Sequence, residues 1–208
     1  MGLQLVASRV LAPFFGSSIF VWASLITTFL AAFSTGSFIG AAVSSRPFIT
    51  QGKIMAGLMS ISSATLLFNS LACYAVCDWF DLGIDNLPAK LISTCLVLYF
   101  IPIATLSTIT PVCVAYYDRR SKSAGRSAGL LNGVSTLGNI AGVLVTALVL
   151  IPAFGVRSLL HIWWISSVTI QLSLWLVLYS PSIQSHSRLA IPAWERSRQS
   201  RSRHPTII

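Results

Sequence analysis

Apolar runs broken by short polar clusters recur six times along the chain. They predict six membrane-spanning helices, over about 1–12, 19–43, 54–76, 91–115, 128–151 and 159–179. About 20 apolar residues suffice to cross the hydrocarbon core of a bilayer. The first run ends at Pro13 and covers only about 18 Å as a helix, so the first span is either short or preceded by more chain. Pro102 and Pro111 lie inside the fourth run. Proline lacks a backbone donor and crowds the preceding turn, so a kink is expected there.

Two runs carry small residues at regular spacing. In the second, Ser24, Thr28, Ala32, Gly36, Gly40 and Ser44 recur every fourth position. The fifth holds no charge between 128 and 152. In it, Gly129 and Gly133 continue a stripe from Gly125, and Gly138 and Gly142 form a second pair. At about 100° per residue the two stripes lie roughly opposite. Asn132, Ser135, Thr136 and Asn139 fill one arc between them, and Leu130, Val134, Leu137, Ala141, Leu144 and Val145 cover the rest. Lipid gives helices little hydrophobic reason to associate, so close backbone approach and interhelical hydrogen bonds must drive it. The fifth helix is therefore expected to be a packing centre.

Composition supports the membrane reading. Of 208 residues 54% are hydrophobic and 9% charged, with a mean hydropathy of +0.77; ordinary soluble domains are about a quarter charged. Net charge is +9, but its distribution points to orientation and anionic lipid rather than to nucleic acid. With the amino terminus in the cytoplasm, that side carries Arg46, Lys53, Arg119, Arg120, Lys122, Arg126, Arg188, Arg196, Arg198, Arg201 and Arg203. The opposite side carries only Lys90 and Arg157, beside an acidic loop of Asp78, Asp81 and Asp85 interleaved with Trp79, Phe80 and Leu82. Eleven of the 14 lysines and arginines thus fall inside and two outside, with Arg9 in the membrane. The positive-inside rule then places both termini in the cytoplasm. Residues 180–208, rich in Arg and Ser, are expected to be a disordered tail.

Candidate chemistry is sparse. Arg9 is the one charge inside an expected span, and such groups are functional candidates because they need a partner. The plainer reading has it snorkelling to the surface near Pro13. Asn132 and Asn139 either line a polar cavity or bond neighbouring helices. The loop and tail residues Arg119, Arg120, Lys122, Arg126, Arg196, Arg198, Arg201 and Arg203, with Trp194 among them, suit anionic lipid or an acidic partner. Cys73, Cys77, Cys95 and Cys113 show no metal-ligand spacing. His161, Trp163 and Trp164 are expected at headgroup level. No paired carboxylates or nucleophile–base arrangement stands out, and neither a metal nor a cofactor is expected.

Two blocks carry a family resemblance: LVASRVLAPFFGSSIFVWASLI at 5–26 and AGRSAGLLNGVSTLGNIAG at 124–142. With their glycines, Arg126 and the run Ser135-Thr136-Leu137-Gly138, they resemble the membrane domain of spermidine-synthase-like proteins, which is of the major-facilitator type. The resemblance covers most of 1–180 and implies half of a major-facilitator fold. In that family a Rossmann-like aminopropyltransferase domain follows, binding decarboxylated S-adenosylmethionine and putrescine. No glycine-rich strand-to-helix turn with a following acidic residue occurs here, and Gln4 stands about where the family tends to carry an acid. The expectation is a non-catalytic subunit of the bacterial inner membrane that packs against other membrane subunits. Alternatives are a dimeric half-transporter for a neutral or lipid-like solute, and an anchor for a separate soluble synthase.

Overall fold

The computed structural model describes residues 1–121 and 124–179. All the secondary structure among them is helical: α1 Gly2–Phe15, α2 Ile19–Ser44, α3 Phe48–Gly83, α4 Leu87–Cys95, α5 Ile101–Ser107, α6 Ile109–Ser121, α7 Ala124–Val145, α8 Ile151–Ala153 and α9 Val156–Tyr179. Two five-residue π-helical segments, Leu96–Phe100 and Thr146–Leu150, join α4 to α5 and α7 to α8. Residues 1–171 form one compact unit; from Leu172 the chain belongs to a second, of which the described part is the end of α9.

Four stretches are long and apolar enough to cross a membrane: Ile19–Ser44, Thr50–Gly83, Leu87–Asp118 and Ala128–Ala153. Six expected spans thus become four such helices, a shorter apolar α1 and the 24-residue α9 among the described residues.

α1 has two faces. Leu3, Val6, Ala7, Val10 and Leu11 are at most 4% exposed, and their i, i+3, i+4, i+7 spacing makes one continuous stripe. That stripe packs among Val21, Leu25 and Phe29 of α2, Leu66, Cys73 and Cys77 of α3, Leu91 and Cys95 of α4, Leu98 and Tyr99, and Leu159 and Leu160 of α9. Pro13 does not end this helix, which runs on to Phe15. A proline in a last turn breaks few bonds, and Gly16, at φ 72°, closes the helix by donating its N–H to the Ala12 carbonyl at 3.0 Å.

The small-residue face of α2 is buried, with Ser24, Thr28, Ala32, Gly36 and Gly40 all inside. It lies against α5 and α6. A Cβ at Gly36 would overlap Ser107 Oγ and the Ala104 carbonyl, and one at Gly40 would overlap Pro111 Cγ and come within 2.6 Å of the Thr108 carbonyl oxygen.

Both π segments end two residues before a proline, Pro102 and Pro152. A wider turn accommodates the ring where it would crowd the carbonyl four residues back. For Pro102 that carbonyl belongs to Leu98, and Asn69 of α3 supplies the missing donor, Nδ2 to oxygen at 2.8 Å. The other proline of the fourth run, Pro111, sits in the first turn of α6 after a break at Thr108, where a helix needs no donor.

α3 continues to Gly83, so Asp78 and Asp81 occupy its final turns rather than a loop, and of the three acids only Asp85 is in the linker. Nothing before Gly83 interrupts the helical pattern. Lys90 Nζ bonds Asp81 Oδ1 at 2.5 Å and lies over the Phe15 ring, tying α4 to the end of α3. Arg157 begins α9 and stacks on Tyr74.

Candidate functional site

Two surface features combine polarity with openness. The first is the outward face of α7. Its span, Ala128–Ala153, has a mean hydropathy of 2.1 and is only 6% buried, against 39–56% for the other three. A Cβ added at Gly125, Gly129, Gly133, Gly138 or Gly142 meets nothing within 4 Å. Asn132, Ser135, Thr136 and Asn139 are exposed as well. Thr136 Oγ1 donates to the main-chain carbonyl of Asn132 at 2.8 Å, and no described residue bonds the side-chain amides of Asn132 and Asn139. Leu130, Val134, Leu137, Ile140 and Leu144 are all exposed around them. One side of α7 does meet its own chain. At Gly2 of α1 a Cβ would lie 2.7 Å from Thr146 Oγ1, 2.9 Å from Trp163 Cζ2 and 3.2 Å from the Gly142 carbonyl oxygen. Gly2 thus lets α1 approach the end of α7 closely. The glycines of α2 and α7 share a spacing but differ in surroundings: Gly36 and Gly40 are closed over by α5 and α6, and those of α7 are bare.

The second feature is a groove of about 280 Å³ between α1, the start of α2 and the end of the α7 span. Leu5, Ser8, Arg9, Ala12, Ser17, Val21, Trp22, Ala147 and Ile151 line it. Arg9 is exposed, on the face of α1 opposite its buried stripe, and forms no ion pair or hydrogen bond with any described residue.

The remaining expected residues are not gathered into a site. Arg119 and Arg120 belong to the last turn of α6, and Arg126 is exposed in the first turn of α7. Lys122, Trp194, Arg196, Arg198, Arg201 and Arg203 lie outside the described residues. Cys73, Cys77 and Cys95 are buried and Cys113 is exposed, all as free thiols. No group of three His, Cys, Asp or Glu is placed to hold a metal among the described residues. Trp163 and Trp164 pack against the core rather than standing free, and Trp163 Nε1 is buried without a partner.

Reading the sequence passed over Asn69, which is 1% exposed and bonds the Leu98 carbonyl. The available signal was a single amide in the middle of the third apolar run, where an unpaired polar group is costly. Ser17 and Trp22, which complete the groove, gave no signal at all.

These observations define an all-α chain whose four long apolar helices are compatible with an integral membrane protein. No protein-family model, curated protein or solved structure matches it.

Proposed function

We propose that this chain is a non-catalytic integral membrane subunit that binds another membrane protein through the open face of α7. One observation carries the reading: the most apolar span is the least buried, and it turns two asparagines and a row of bare glycines outward. Lipid offers no partner to an amide, so a face of this kind favours burial against protein. Bare glycines allow a second helix to come close, and the amides then bond across, each bond contributing about 0.6 kcal/mol on average. In this reading six spans cross a bacterial inner membrane with both termini in the cytoplasm, as the uneven spread of Lys and Arg supports. Cytoplasmic basic residues, including Arg119, Arg120 and Arg126, meet anionic lipid there.

Solubilisation in mild detergent followed by cross-linking tests this. Wild type should migrate as a stoichiometric complex, and the quadruple change of Gly129, Gly133, Gly138 and Gly142 to Leu should release the chain alone. A wild type that is monodisperse and solitary, or a quadruple variant that stays assembled, overturns the reading.

The same polar face also favours a second reading, a half-transporter in which two copies enclose a path for a neutral or lipid-like solute. Solute flux in proteoliposomes that is lost in Asn132→Leu would support it. The resemblance to spermidine-synthase-like membrane domains adds one specific partner to test, a separately encoded soluble synthase, by co-purification with the full chain.

A further inference from the structure

We infer that the groove beside Arg9 seats the phosphate of an anionic membrane phospholipid. A guanidinium midway along an apolar helix needs a counter-charge, and among the described residues none is paired with it. The acidic residues among those described are Asp78, Asp81, Asp85 and Asp118, and none of them lines the groove. The groove instead places donors beside Arg9. Ser17 is exposed on its wall, and α2 begins there: the Ser18 carbonyl accepts the N–H groups of Val21 and Trp22. The N–H groups of Ile19 and Phe20 thus lie outside the helical ladder, at the positive end of a 26-residue helix. Guanidinium, hydroxyl and helix N-terminus together suit a phosphate.

The rest of the lining selects a lipid over a free ion. Val21, Trp22 and Ile151 make the other wall apolar, and Phe20, Trp22 and Ile26 continue an exposed apolar surface along α2. At about 280 Å³ the space is near the lower end for small-ligand clefts, about 300 Å³. It admits a headgroup, while acyl chains lie along α2. This site is separate from the open face of α7 and from the cytoplasmic arginines, and it stands or falls independently of the docking reading.

Native mass spectrometry of the full chain, released from nanodiscs of either phosphatidylglycerol or phosphatidylcholine, tests the inference. Wild type should retain one phosphatidylglycerol that phosphatidylcholine does not replace and that millimolar inorganic phosphate does not displace. Arg9→Gln should weaken that retention about tenfold or more, and Arg9→Lys should preserve most of it. Ala12→Phe keeps the charge and the buried stripe of α1 but fills the groove, and it should lose the lipid too. Equal retention of the two lipids, displacement by inorganic phosphate, or an unchanged lipid in Ala12→Phe overturns the inference.

Discussion

Pro102 leaves the Leu98 carbonyl without its helical donor, and Asn69 is the residue that answers it. In water such a carbonyl would be met by solvent; between apolar helices only another side chain reaches it. Asn69→Leu should therefore lower the unfolding free energy in detergent by about 1 kcal/mol, seen as a lower thermal midpoint. Asn69→Asp should cost more, because it replaces the donor with a charged acceptor. The thiols provide a second measurement at this scale. Cys73, Cys77 and Cys95 are completely buried, while Cys113 is exposed near the polar end of α6. A maleimide added to the folded protein should modify Cys113 first and reach the other three only after denaturation. Early labelling of Cys95 would mean that the packing around Tyr99 is looser than described.

Helices α2 and α7 show what an element's sequence does and does not reveal. Both carry small residues at every fourth position, and the signal in the chain is the same. On α2 that row is buried by α5 and α6, while on α7 it faces outward. Spacing marks a face suited to close approach, but the partner is a property of the whole assembly. The contrast gives a paired prediction. In the isolated chain, Gly36→Leu or Gly40→Leu drives a side chain into the backbone of α5 or α6 and should lower stability by about 1–3 kcal/mol or more. Gly129→Leu or Gly133→Leu meets open space and should leave the thermal midpoint of the isolated chain unchanged. Equal destabilisation by both pairs would mean that α7 is enclosed within its own chain. Other elements were legible to different degrees. Four of the apolar runs coincide with the four helices long and apolar enough to cross a membrane, because hydropathy reports burial in lipid or protein alike. Helix ends were less legible. Pro13 and the aspartates after Cys77 look like stops, yet α1 passes through Pro13 and α3 carries Asp78 and Asp81, since a last turn tolerates both a missing donor and a charge. The π segments could be placed only as kinks, because a proline fixes where a bond is lost and leaves open how the turn widens.

At the scale of the molecule, α3 acts as a ruler. From Lys53, exposed in its second turn, to Asp81 near its end is 28 positions, about 42 Å along the axis. A bilayer measures about 40–45 Å with its headgroups. The length of α3 is therefore compatible with its end charges in opposite headgroup layers and with Gly57 to Val76 spanning the hydrocarbon between them. In the proposed orientation the Asp81–Lys90 pair and the linker containing Asp85 stand at the outer surface, and Arg46 with Lys53 at the inner one. This orientation does not depend on α1, whose 14 residues reach only about 21 Å. In a background with the native cysteines replaced by alanine, a membrane-impermeant thiol reagent applied outside intact cells should label Asp85→Cys and spare Arg46→Cys. Permeabilising the membrane should then expose Arg46→Cys. If both positions label from the same side, α3 does not cross, and the distance match is a coincidence of length. If Arg46→Cys alone labels from outside, the helix crosses in the opposite sense and the distribution of Lys and Arg does not set the orientation.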